Sequence, residues 1–394
     1  MKSVYLDHAA TSPVSEAALA AMLPCFREIF GNPSAIHSQG QAARTAVEKA
    51  RRRVAESVGA LRTEVVFTSG GTESDNWALR GACAWMKGRG RHIVASAIEH
   101  SAVLRTLEAL EAEGFEVTLV APDALGQISP ARLEDAMRPD TVLVSVMLAN
   151  NAVGTVLDIP ALSAVARRHR ALFHTDAVQA AGRIPLDIRA LGADFLSLSA
   201  HKFGGPKGVG ALVCRLPVRI RPMIAGGGQE KGLRSGTENV PGIVGMAAAL
   251  EESAGALQTR GAALRALGDR FTARALAIPG VRQTGDPVRR LPGFCSFVVD
   301  GIGHSALLVN EMNARGYCVS AGSACSAGSQ EASHVLLAMG YDAGEAKTAL
   351  RVTLGPENTR DEVDGAAEAL RDAVAALRAR RGELTAHARG TEPD

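Results

Sequence analysis

Phe67-Thr68-Ser69-Gly70-Gly71-Thr72-Glu73-Ser74 is a β-rich run that ends in two glycines, a threonine and an acid, after which an amphipathic stretch begins. A strand that turns into a helix in this way is the repeating unit of α/β proteins. The same segment puts helix-terminal N–H groups and a positive dipole end beside backbone that can approach an anion closely. A turn capped by Thr72 is the plain structural alternative.

Outward from this segment, strand candidates follow at Glu64–Ser69, His92–Ala97, Glu116–Ala121, Thr141–Leu148, Ala171–Thr175, Ala193–Ser199 and Gly208–Cys214. Helical stretches such as Glu99–Glu113 and Ile159–Arg170 lie between them. The alternation predicts a mostly parallel central sheet flanked by helices. From Pro241 to about Leu276 the chain reads as one long alanine-rich helix joining two domains. A second, smaller α/β set follows: Phe294–Asp300, His304–Ala314, Gly316–Ser320, Ala332–Met339 and Leu350–Leu354, then a final helix from about Arg360 to Arg380. The polar end GELTAHARGTEPD reads as frayed.

At 394 residues and 46% hydrophobic content, the chain is long enough for two cores. Its formal net charge is +2, with basic and acidic residues interspersed, so composition asks for neither nucleic acid nor an anionic membrane. The six cysteines form no CxxC and no disulfide framework. The opening MKSVYLDHAATSPVS has no long apolar run, and no segment has the apolar length of a membrane span. The expectation is a cytoplasmic protein with free thiols.

Several segments carry chemistry. Asp176, in Phe173-His174-Thr175-Asp176, ends a buried strand where α/β sheets place ligands, and an acid there suits a pyridinium nitrogen. A helix-capping aspartate is the alternative. In Ser197-Leu198-Ser199-Ala200-His201-Lys202-Phe203-Gly204-Gly205-Pro206-Lys207, Lys202 follows a strand directly, where partial desolvation favours an imine-forming amine. Lys207 is the weaker candidate. Ser199 and His201 offer phosphate donors. His100, after the strand His92–Ala97, can stack on a flat ring or move protons. Val319-Ser320-Ala321-Gly322-Ser323-Ala324-Cys325-Ser326-Ala327-Gly328-Ser329 surrounds one cysteine with small residues, as a loop presenting a thiol would. The other cysteines lie in or near apolar stretches and read as core. Zinc lacks ligand spacing. Arg351, inside the apolar run Leu350–Leu354, needs a partner: a substrate carboxylate, or an internal acid. Gly301-Ile302-Gly303-His304-Ser305-Ala306 fits a dinucleotide fingerprint, but the following strand candidate ends without the expected acid.

In order along the chain, Tyr5-Leu6-Asp7-His8-Ala9-Ala10-Thr11, Gly31-Asn32-Pro33-Ser34 and the segments above resemble the NifS/IscS branch of the cysteine desulfurases, within the class V aminotransferases. The resemblance runs to the helix before Arg380 and implies the fold type I architecture of pyridoxal 5′-phosphate (PLP) enzymes. It implies a large PLP-binding domain over residues 15–257, a small domain over 1–14 and 258–381 carrying the cysteine loop, and a flexible tail over 382–394. By position, Lys202 resembles the lysine that carries the cofactor, Asp176 the ring-nitrogen partner, Gln179 the donor to the ring hydroxyl and His100 the ring-stacking residue. Gly71, Thr72, Ser199 and His201 resemble the phosphate cradle. Thr237, in Arg234-Ser235-Gly236-Thr237, resembles a phosphate ligand lent by a second subunit, which implies a homodimer. Asn151 and Arg351 resemble the holders of the substrate carboxylate, and Cys325 the persulfide cysteine. The family often has glycine at Ala200 and an acid at Ala152. The implied activity is removal of sulfur from L-cysteine, with transfer to an acceptor such as an iron–sulfur scaffold. A selenocysteine lyase or small-amino-acid aminotransferase shares the PLP set but has no need of the Cys325 loop. A non-catalytic scaffold would not need the catalytic set.

Overall fold

The computed structural model describes residues 3–218, 220–322 and 332–389, with side chains up to 381. Twelve strands occur among the described residues: β1 Val4–Tyr5, β2 Val65–Thr68, β3 His92–Ser96, β4 Glu116–Val120, β5 Thr141–Ser145, β6 Leu172–Asp176, β7 Phe195–Ser199, β8 Gly210–Cys214, β9 Val281–Gln283, β10 Phe294–Val299, β11 Tyr317–Cys318 and β12 Ala349–Thr353. Seven form a sheet in the order β2-β8-β7-β6-β5-β3-β4. β8 runs antiparallel to both neighbours, and the remaining pairs are parallel. Central strands are buried along their whole length because helices cover both faces. Alternation then sends Val94, Val144, Phe173 and Leu196 into one core and Ile93, Leu143, Phe195 and Leu212 into the other.

The seven strands of this sheet agree with the expected ones to within one to three residues at each end. The long connector does not. It breaks at Ala256 (φ −99°, ψ 4°) into helices Val240–Gly255 and Leu257–Leu276, directly after a glycine that weakens the first helix at its end. The last helix runs from Arg360 to Arg389, beyond the expected stop near Arg380. The extension contains one glycine, Gly382, which weakens a helix without ending it, and no proline before Arg389.

The second sheet, β12-β10-β9, is antiparallel throughout. Its core holds Leu6, Phe271, Phe297, Leu350 and Val374. β10 has no parallel partner across the helix Ser305–Ala314 that follows Gly301 and Gly303, because β11 pairs with β1 instead. A dinucleotide-binding crossover is therefore absent there. The N-terminal segment ties the two sheets together. Leu6 lies in the second core and Ala9 in the first, Asp7 bridges Thr353, and the Ser12 N–H donates to His201 O at 2.8 Å.

β2 is an edge strand, and an edge exposes unpaired backbone groups. Here a buried ion pair occupies them. Arg51 donates to Glu230 through both terminal nitrogens at 2.6 Å and to Val65 O at 3.0 Å, while Phe67 N–H donates to Glu230 Oε2 at 3.0 Å. Glu230→Gln leaves a buried guanidinium with only partly exposed Glu48 as counter-ion. The expected loss is about 3 kcal/mol, near the low end for a broken buried pair. Urea denaturation measures it, and an unchanged midpoint contradicts this account of the edge.

Candidate active site

The C-terminal ends of β6 and β7, the start of the helix Gly71–Met86 and the N-terminal segment converge on one cavity of about 220 Å³. The helix Gly71–Met86 has Gly70 as its N-cap and no side chain closing its first turn. Thr72 therefore lies inside the helix and is not its cap. A Cβ added at Gly71 would stand 2.8 Å from Val178 Cγ2, so only glycine lets this turn approach the segment just after β6. Gly71, Thr72 and Ser199 form one wall of the cavity, a helix N-terminus beside a strand-end hydroxyl.

After Ser199 the chain folds into a single 3₁₀ turn, Ala200–Lys202. That turn carries the Lys202 amine back to the N-terminal segment, where Nζ donates to Ala9 O at 2.7 Å and Ala10 O at 2.8 Å. Lys202 is half-buried and lines the cavity, whereas Lys207 is exposed. His201 Nδ1 is 3.1 Å from Thr11 Oγ1. Burial, with Lys202 and Lys207 nearby, pushes its pKa down to about 4, so the ring is neutral near pH 7.

Asp176 ends β6 and accepts from Val178 N–H at 2.8 Å. Burial drives its carboxyl upward, buried Asp75 adds to this, and His100 opposes it. Asp75 lines the same cavity and is pushed up to about 7 by burial, and Glu99 lies well above the usual carboxylate range for the same reason. Their histidine neighbour His174 is held down to about 4, again by burial. A buried carboxyl group with so little cationic compensation is a receptor for a positive group. His100 caps the helix Ser101–Ala112, its Nδ1 accepting from Ala102 N–H at 3.1 Å. That assignment leaves the ring proton on Nε2. Burial lowers the His100 pKa, while Asp176 pulls the other way.

Of the partners that its sequence position leaves open, the structure supplies Arg351 with the internal acid. It lines the cavity, and its Nη2 donates to Asp7 Oδ1 at 2.8 Å, so an internal acid is present. Nη1 donates to Asn151 O at 2.7 Å and Gly322 O at 3.1 Å, while Nε is buried without a partner among the described residues. Gln179 donates to Ala9 O at 2.9 Å, and its Oε1 is buried without a partner among the described residues, as is Asn151 Oδ1, while Asp75 Oδ1 has only His174 Nε2, at 3.5 Å. Buried polar atoms are normally satisfied, so orphans gathered around one cavity fit a polar ligand. With a helix N-terminus for phosphate, a carboxyl for a ring nitrogen and an amine for an aldehyde, the lining fits pyridoxal 5′-phosphate.

The cavity thus brings together Gly71, Thr72, His100, Asn151, Asp176, Gln179, Ser199, His201, Lys202 and Arg351. Thr237 is not among them. It lines a neighbouring cavity of about 70 Å³ with Ser69 and Gly236, on a loop held by the Arg234–Glu73 ion pair at 2.9 Å. Cys325 lies outside the described residues. Of the remaining cysteines, Cys83 and Cys214 are pushed up to about 12 and Cys295 to about 11 by burial, which keeps them as inert thiols. Asp75 and the Ala9 and Ala10 carbonyls also belong to the cavity, and Asp7 holds Arg351 beside it, although sequence reasoning assigns them no role. Asp75 had a usable signal, standing one helical turn after Gly71 and Thr72.

The Aminotransferase class-V family profile matches residues 4–365. The chain is 44% identical over 378 residues to the cysteine desulfurase IscS of Methanosarcina thermophila, covering 96% of this chain and 93% of that one. A solved NifS-like protein superposes with a TM-score of 0.89 at 38% identity, covering 95% of this chain and 99% of that one. A structure described as SspA in complex with cysteine gives a TM-score of 0.79 at 36% identity, covering 90% and 99% respectively. The chain therefore belongs to the class V aminotransferase family and, within it, to the cysteine desulfurases of NifS/IscS type.

Proposed function

We propose that this protein uses pyridoxal 5′-phosphate to take sulfur from L-cysteine, releasing L-alanine and holding the sulfur as a persulfide on Cys325 until an acceptor removes it. The observation that carries the reading is one cavity lined by an amine, a desolvated carboxyl at a strand end and an open helix N-terminus: Lys202, Asp176 and Gly71–Thr72. The bound cofactor supplies an electron sink conjugated to the substrate's amino group. Asp176 would hold the charge at the ring nitrogen, Gln179 would bond the ring hydroxyl, His100 would stack on the ring, and Gly71, Thr72, Ser199 and His201 would hold the phosphate. Asn151 and the unspent Nε of Arg351 orient the substrate carboxylate. The Lys202 amine takes the proton from the substrate Cα, and His100, neutral with its proton on Nε2, gives or takes a proton at the substrate sulfur. The Cys325 thiolate attacks that sulfur. The C–S bond breaks, an S–S bond forms, and the carbon skeleton leaves as alanine after protonation.

The reading extends to the assembly. Leu19, Leu23, Phe26, Phe30 and Ile36 are exposed along one N-terminal stretch, Ile36 at 93%. Such a run is supported as a subunit contact, and Thr237 on its separate loop is free of its own chain's cavity. The homodimer would lend Thr237 to the partner's phosphate site. Residues 15–257 form the cofactor-binding unit and 1–14 with 258–381 the smaller one, a division supported by the break at Ala256. No helix among the described residues is long and apolar enough to cross a membrane. A cytoplasmic setting and an iron–sulfur or thiolation acceptor complete the proposal.

Two outcomes follow. Lys202→Ala should lose the covalent cofactor absorbance and lower cysteine turnover by about 10³-fold, within the range for a general base. A normal yellow band in that variant rules out this amine. Cys325→Ala should keep the cofactor absorbance and bind cysteine but give no protein persulfide by intact mass. Full desulfurase turnover there contradicts the role of Cys325, and alanine release without added thiol points to another nucleophile.

A further inference from the structure

A second cavity, of about 160 Å³, lies behind Lys202, between the N-terminal segment, the Val240–Gly255 and Leu257–Leu276 helices and the turn after β12. Its charged lining is mostly spent internally. His8 Nε2 is 3.1 Å from Glu357, and Arg260 is 3.6 Å from Glu252. Arg183 is different. Among the described residues it has no acid within ion-pair distance, and its guanidinium makes one long hydrogen bond, from Nη1 to Leu354 O at 3.5 Å. The turn that presents it is closely packed, since a Cβ at Gly182 would meet Phe203 Cβ at 2.7 Å and Ser253 Cβ at 3.0 Å. Arg183 is therefore held in place with most of its five donors uncommitted.

The guanidinium is half-buried, and burial with Arg351 nearby pulls its pKa down to about 10 against the opposing pull of Glu357. A planar carboxylate matches its fork. Most of the remaining exposed wall is apolar, from Val14, Phe203, Leu264, Leu354 and Pro356, and the two lining acids, Glu252 and Glu357, are engaged with Arg260 and His8. The volume equals roughly five waters, which limits the ligand to a few heavy atoms. We propose that this cavity is a binding site for a small monocarboxylate with an apolar body, held by Arg183 and separate from the cysteine site. Inorganic oxyanions lack the apolar half that these walls complement. The inference stands apart from the sulfur chemistry, because it requires neither the cofactor nor Cys325.

Titration calorimetry of sodium propionate into cofactor-loaded protein tests this, with sodium chloride at equal ionic strength as the blank. Visible absorbance of the loaded protein reports separately on the Lys202 site. Saturable binding is expected, weakened about tenfold or more in Arg183→Gln by loss of a charge-assisted pair, less in Arg183→Lys, and unchanged in Arg351→Lys. Equal binding by wild type and both Arg183 variants overturns the proposal, as does loss confined to Arg351→Lys, which would place propionate in the cysteine site. Phosphate binding as tightly as propionate, with the same dependence on Arg183, overturns the carboxylate assignment.

Discussion

The pair of hydrogen bonds from the Lys202 amine to the carbonyls of Ala9 and Ala10 fixes the geometry of the whole site. A lysine at a strand end would ordinarily extend into solvent. Here the 3₁₀ turn after β7 reverses its direction, and the N-terminal segment supplies the acceptors that hold it. Ser12 N–H bonding to His201 O and His201 Nδ1 near Thr11 Oγ1 brace the same contact from both sides. Because Leu6 belongs to the second core and Ala9 to the first, this contact also joins the two packed bodies at the cavity.

Electrostatics make the cavity a receptor. Three buried carboxyl groups, Asp75, Glu99 and Asp176, have raised affinities for protons, while His174 and His201 have lowered ones. Burial is the leading cause in every case. The site therefore disfavours net charge of either sign until a ligand brings compensating groups. A ligand with a cationic ring nitrogen at Asp176 and an anionic phosphate at the Gly71 helix start meets both demands. The uncommitted Nε of Arg351 and Oε1 of Gln179 mark where its remaining polar atoms find partners.

Much of this was legible in the sequence for specific reasons. Continuous apolar runs such as Thr141–Ser145 mark strands covered on both faces, and glycines at 70 and 71 mark a helix start that must approach a neighbour closely. The site residues at strand ends, Asp176 and Lys202, could be named because their flanking patterns are local. What stayed hidden depends on long-range contact. The Asp7–Arg351 pair spans 344 positions. Likewise, the spacing of Asp75 from Gly71 and Thr72 is local, but the burial that raises its pKa comes from the distant strands its helix packs against. The break at Ala256 is hard to place locally, because Gly255 alone only weakens a helix and the alanine-rich sequence on both sides favours continuing it. The two-residue strand β1 is too short to show a period, whereas β11 falls inside the expected Gly316–Ser320.

Borohydride reduction of the cofactor-loaded protein, followed by peptide mapping, tests the central claim most directly, because it marks the amine that holds the aldehyde. A single reduced adduct on Lys202 is the predicted result. An adduct on Lys207, or on any lysine outside the cavity, would contradict the account.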